Sequence, residues 1–331
     1  TNSFQNVPTT ALDLALWMES DRMGHLLGVI DQARLDEQRG VVQNEKRQGE
    51  NRPYGRVWEA LLRASFPAGH PYRWSPIGSM EDLNAASLDD VHGWFREYYG
   101  AANATLVLAG DIDVETARAK AQQYFGHIPP GPSLTRPGVW AAARDASTRE
   151  VMYDQVAQTR LYRVWNGPQD GTREADLLAL AGHILGGGKT SRMYERLVYR
   201  DRLADTVSAG YSALEIAGIF SITADVKAGV PQARVESAIE EELRRFIAEG
   251  PTAAELERAR TAIRAGFLKG LERIGGFGGK ADVLAACQVY EGDPGCYRRS
   301  LETLRTATPP ELRETAQRWL AQGDHTLEVR P

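Results

Sequence analysis

The sequence predicts an α+β protein of two related domains, each layering helices on strands, with the first cut short at its N-terminus. Three observations lead there. Segments with helical apolar spacing alternate with short apolar runs that end in Gly, Asp or Pro. The closing stretch "PPELRETAQRWLAQGDHTLEVRP" repeats the order and spacing of "SLDDVHGWFREYYGAANATLVLAGD", an internal duplication in units far longer than a solenoid repeat. The two copies also differ in what precedes them. A helix near Leu256 starts about 105 residues after Val151, whereas its counterpart near Leu35 has about 34 residues before it, so about 70 are missing from the first copy.

In chain order, "VPTTALDLALWMESDRMGHLL" has Pro8 where a first helical turn tolerates it, and Leu12, Leu16, Met23 and Leu27 form one buried stripe. A second helix runs from about Leu35 to Gln48, and "YGRVWEALLRASF" holds a third. In "SLDDVHGWFREYYG", Ser87 is the expected N-cap and Asp90 completes a box-like start. "NATLVLAGDI" reads as a strand and "VETARAKAQQYFGHI" as a helix. Residues 129–149, rich in Pro, Gly and polar side chains, read as a linker. Beyond it, "REVMYDQVAQTRLYRVWNG" reads as paired strands, "READLLALAGHILGG" as a helix and "GIFSITADV" as a strand. "VPQARVESAIEEELRRFIAEG" and "TAAELERARTAIRAGFLKGLE" are two long helices, and a helix, turn and strand close the chain. The expected division is 1–134 for the C-terminal part of the first domain, 135–150 for the linker and 151–331 for the second domain.

The 331 residues are 42% hydrophobic and 25% charged, ordinary for a water-exposed globular chain. Thirty-nine Lys plus Arg against 44 Asp plus Glu give a net charge of -5, which offers no footprint for nucleic acid or anionic lipid. No apolar run is long enough for a membrane span. Cys287 and Cys296 could pair but lie in no CxxC or Cys/His cluster, so the redox compartment stays open. Thr1 follows no initiator Met, and the chain reads as a processed, cleaved or truncated product.

Of the motifs, "GGGKT" ends like a phosphate loop, but His183 stands where its first glycine belongs and the stretch follows a helix rather than a strand. It is read as a helix end that uses glycines and restarts. His25, His70, His92, His127, His183 and His325 include no pair at i and i+4, so no helix face holds two imidazoles for a metal. Gly275, Gly276, Gly278 and Gly279 interrupt a helical pattern; they suit a flexible or close-packed loop, or one that lets a substrate backbone approach. Glu45, in "QNEKRQ", looks solvated on chemistry alone.

The stretch "TNSFQNVPTTALDLALWMESDRMG…LDEQRGVVQNEKRQGENRPYG" resembles the bacterial branch of the pitrilysin-type zinc metallopeptidases, the inverzincins, in the segment after their H-x-x-E-H helix. The resemblance continues through "HPYRWSPIGSMEDLNAASLDDVHGWFREYYGAANATLVLAGDID" and resumes in "LGGGKTSRMYERLVYRDRLADTVSAG", covering almost the whole chain. It implies two pitrilysin-type α/β sandwich domains. It also implies a zinc ion held by both motif histidines and a later glutamate, which carries over to Glu45. Two imidazoles and a carboxylate leave a position for water, whose proton the motif Glu takes as it attacks a peptide carbonyl. This chain has no H-x-x-E-H, and counting back from Glu45 puts the motif about 30 residues before Thr1. In some relatives the acidic residue seven positions before the ligand assists; here it is Gln38. An Arg and Tyr that help hold substrate in some relatives fall at Val198 and Asp205, neither of which can donate to an oxyanion.

The resemblance further implies an extended peptide as substrate, held in a chamber between two lobes or paired subunits of this fold, with Asn2 and Phe4 near the cleft. The expected function is therefore most of one lobe of a zinc metalloendopeptidase, with Zn2+ in the intact protein, and no catalytic residue and no bound metal in this chain alone. The alternative is a noncatalytic partner subunit or scaffold of the same fold that shapes a peptide chamber.

Overall fold

The computed structural model describes residues 1–331. They form two compact units that interleave in sequence: residues 1–46, 77–136 and 265–297 make the first, and 47–76, 137–264 and 298–331 the second.

The first unit is helical. Its elements are α1 (Leu12–His25), most of α2 (Gln32–Glu50), α4 (Met80–Ala85), α5 (Leu88–Tyr98), α6 (Val114–Phe125), the end of α9 (Ala253–Gly270) and α10 (Lys280–Glu291). Helix α1 docks on α6 through polar and small-residue contacts. Asp13 accepts from Lys120 Nζ at 2.5 Å and from the Tyr124 hydroxyl at 2.9 Å, and Gly24 lets the Ile128 side chain lie against the helix backbone. Of the expected stripe only Leu16 is buried, Leu12, Met23 and Leu27 being half-buried, and Leu14, Trp17 and Met18, at i, i+3 and i+4, form an exposed apolar face. Helix α5 starts with the expected box: Ser87 accepts from the Asp90 amide and Asp90 from the Ser87 amide. Yet α5 buries no residue fully, and Trp94 is 60% exposed.

The expected strand at "NATLVLAGDI" is not one. Residues 104–110 belong to no sheet, and Leu106 is 45% exposed. A strand exists only through its partners' hydrogen bonds, and the first unit contains none. Cys287 and Cys296, left open by the sequence, form a disulfide that ties α10 to the turn before α11 (Tyr297–Thr306).

The second unit is built on a five-stranded sheet, β1 (Thr148–Tyr153), β2 (Arg160–Gly167), β3 (Ala204–Ala213), β4 (Gly218–Val226) and β5 (His325–Arg330), in the order β1-β5-β2-β4-β3. The two strands of "REVMYDQVAQTRLYRVWNG" are therefore not paired with each other. β5 lies between them, parallel to β1 and antiparallel to β2. Period-two alternation splits the sheet's side chains between two cores. Leu161, Trp165, Phe220, Ile222, Ala224 and Val226 join a core with α7 (Arg173–Gly186), α8 (Gln232–Glu249) and α12 (Pro309–Leu320). On the other face Val164, Ile219, Leu327 and Val329 pack with α3 (Val57–Ser65). Ion pairs fix the rim. Arg192 is bidentate to Glu255 at 2.6 and 2.7 Å, and Thr252 donates its amide to the same carboxylate. Burial alone would raise the Glu255 pKa, but those three donors outweigh it and hold the carboxyl down at about 2.

Candidate functional site

Glu45 sits near the end of α2. Three polar side chains orient that helix: Arg39 donates to the carbonyls of Leu83 and Ala86 at 2.9 and 2.6 Å, and Gln43 donates to Asn84 at 2.7 Å. Residues 36, 39 and 43 share one face at helical spacing, which turns Glu45 to the opposite face beside Val41 and Gln38. Glu45 is exposed, and Val41 is 53% exposed. The face thus offers a carboxylate set against an apolar side chain, with an amide, Gln38, at the position seven residues before it.

Asn2 and Phe4 are occupied within the first unit. Asn2 donates to Asp282, and Phe4 stands edge-on to Phe277 with ring centroids 5.7 Å apart. Asp282 also accepts from the Gly278 amide at 2.7 Å. The glycine loop is close-packed. A Cβ on Gly275 would collide with the Asn6 side chain, and one on Gly279 with the Gly275 carbonyl, while Gly276 and Gly278 adopt φ of 77° and 73°. The glycines thus serve the N-terminal segment at Gly275, the loop's own packing at Gly279 and positive φ at Gly276 and Gly278.

The other sequence candidates scatter. "GGGKT" follows α7, which ends at Gly186, and Gly188 accepts from the Ser191 hydroxyl at 2.6 Å, so the stretch is a helix end that restarts. Val198 packs against the second unit's core, and Asp205 is exposed on β3. His70 is fully buried and satisfied: its Nε2 pairs with the Trp140 carbonyl at 2.8 Å and its Nδ1 accepts from the Tyr72 amide at 3.0 Å. His25 and His127 meet through their Nε2 atoms at 3.2 Å, at the ends of α1 and α6, on the surface. Burial lowers the pKa of His183, and burial reinforced by Arg144 lowers that of His325. What sequence reasoning missed is a basic cleft at the end of a π-helix, Tyr194–Arg200. Its side chains come from two separated stretches, so no local motif marks it.

No three His, Cys, Asp or Glu side chains stand close enough to hold a metal ion. One exposed carboxylate does not fit zinc, which takes four ligands with imidazole or thiolate prominent among them.

The model of the Peptidase M16 inactive domain matches residues 85–263, more than half of the chain, and the chain belongs to that family. It corresponds to a pitrilysin-type inactive domain or lobe, without a cluster of three side chains that could hold a metal by itself. Zinc protease PqqE of Helicobacter pylori is 24% identical over 283 residues, covering 82% of this chain and 62% of the relative. This chain thus spans less than two thirds of that protein. Among solved structures, a protease from Helicobacter pylori superposes with a TM-score of 0.87 at 21% identity, covering 98% of this chain and 78% of its own. The first half of the periplasmic protease PqqL from Escherichia coli does so at 0.75 and 15% identity, covering 99% and 72%. Both support the α+β fold. No helix is long and apolar enough to cross a membrane.

Proposed function

We propose that these residues are most of one lobe of a zinc metalloendopeptidase, in which Glu45 supplies one protein ligand and two imidazoles come from residues outside this chain. The observation that carries this reading is the Glu45 face of α2: its polar face is docked and its carboxylate, next to exposed Val41, is left bare. The bare apolar face of α1 and the unpaired run 104–110 fit the same reading, because both would be covered by strands of a first domain. Residues 1–134 are then the C-terminal part of that catalytic-type domain, 135–150 its linker and 151–331 a second, related, noncatalytic-type domain. This is a division by descent, since the compact units cross it. The substrate is an extended peptide enclosed with a second lobe or partner subunit of the same fold. Asn2 and Phe4 contribute through the loop they hold. The disulfide favours the periplasm over the cytoplasm, because reducing compartments keep thiols apart.

The test is the zinc content of the parent protein with Glu45 intact and as Glu45→Gln. About one zinc per chain, lost in the variant, is the expected result. No zinc in either would favour the alternative, a noncatalytic partner subunit or scaffold, which the match to the family's inactive domain also supports. Thiol titration of protein from cell extract, without reductant, should find no free cysteine.

A further inference from the structure

The second unit has a cleft of about 640 Å³ lined by Tyr194, Val198, Tyr199, Arg200, Arg202 and Lys227. Three of the six are cations, two are phenols and none is acidic, in a chain of net charge -5. The backbone that builds it is unusual. The Asp201 amide bonds the Arg196 carbonyl at 2.8 Å, an i to i+5 closure, and the Leu203 amide then reaches back to Leu197 at 2.7 Å. π-Helical turns of this kind occur mostly as single turns, often at functional sites. Between those two bonds Arg202 sits at φ 53°, a region that non-glycine residues rarely occupy. The Lys227 amide donates to the Leu203 carbonyl at 3.1 Å, which brings the end of β4 beside Arg202.

One nearby acid, Asp201, stands within ion-pair range of the lining residue Arg200, and the others are committed elsewhere or stand outside. Asp201 receives Arg196 at 3.3 Å and lies 3.6 Å from Arg200, too far for a hydrogen bond. Arg196 also takes Glu241 and Glu242. Glu195 and Asp205 do not line the cleft. Arg202 and Lys227 enter no ion pair, and Tyr199 is 79% exposed, so one aromatic wall is open.

We propose that this cleft binds a small oxyanion carrying two or more charged groups. The forks of Arg200 and Arg202 and the Lys227 ammonium take its oxygens, and the tyrosines lie along its uncharged part. Guanidinium forks match phosphate and carboxylate oxygens alike, so polyphosphate and polycarboxylate ligands share the chemistry. The volume suits a ligand of metabolite size.

The test is calorimetric titration of the chain with inorganic pyrophosphate and, separately, with citrate, at low and physiological salt. One-to-one binding is expected, weakened about tenfold by Arg202→Gln and again by Lys227→Gln. Tighter pyrophosphate would identify a phosphoryl ligand and tighter citrate a polycarboxylate. Arg202→Gly guards against misfolding, because glycine accepts the backbone conformation: it should keep the melting temperature and still lose binding. Absence of heat with either anion at millimolar concentration, or binding unchanged in both charge-removing variants, overturns the proposal.

Discussion

Two stretches of this molecule share one order of residue types and differ in their surroundings. Ser87 and Thr308 both cap a helix with a reciprocal box, and Val91, Phe95, Leu106 and Leu108 stand at the spacing of Leu312, Ala316, Leu327 and Val329. In the second stretch those four positions are fully buried and the run after the helix is β5, held on both edges. In the first, none is buried and the run after the helix pairs with nothing. The local code makes the helix in both places, whereas a strand and a core also need a partner sheet.

Four experiments would break or sharpen that contrast. The largest effect belongs to the Arg192–Glu255 pair, whose side chains are only 9% and 16% exposed. Arg192 and Thr252 together hold the Glu255 carboxyl down at about 2 instead of 4.5, so these contacts as a set contribute roughly 3 kcal/mol at neutral pH. With the folded pKa depressed, that contribution is complete above the unfolded value and is lost as pH falls from about 4.5 to about 2. Acid denaturation of Glu255→Gln, followed by far-ultraviolet circular dichroism, should show a lower starting stability and a flatter dependence across that window. Next, Leu327→Ala should cost about 2–4 kcal/mol and Leu106→Ala in this chain under about 0.5 kcal/mol. Equal losses in denaturant titrations would mean that 104–110 is covered after all. Third, Cys287→Ser with Cys296→Ser should cost about 2–3 kcal/mol, the loop-closure value for so short a ring, confined to the first unit. Hydrogen exchange should show α10 opening while β2 and β4 stay protected. The smallest effect is the matched pair Ser87→Ala and Thr308→Ala, each about 1 kcal/mol. A much larger loss at Thr308 would show that capping is amplified by the core beneath α12.

The helices were legible because their signals are local: the Ser87 box, the Leu16 stripe and the glycine stop after α7 can each be read within one or two turns. The strand at 104–110 was misread because apolar composition is necessary for pairing and not sufficient. The supposed pairing of β1 with β2 failed because sequence neighbours suggest a hairpin, while the strand that joins them lies far along the chain. The exposed face of Glu45 follows from helical spacing, but only the family resemblance singles that carboxylate out among so many acids. The cleft gathers Arg202 and Lys227 through a backbone hydrogen bond, and no spacing rule encodes that meeting.

The place of β5 in the sheet has a consequence for biogenesis. While the chain emerges from the ribosome, β1 and β2 are finished early, yet the gap between them can be filled only after residue 330 has been made. Until then both expose unsatisfied edges facing one another, an invitation to a wrong hairpin or to pairing with another nascent chain. The second unit should therefore complete its sheet only after residue 330 has left the ribosome, at a rate set by closing a very long loop. A chain stalled before His325 would be a substrate for holding chaperones.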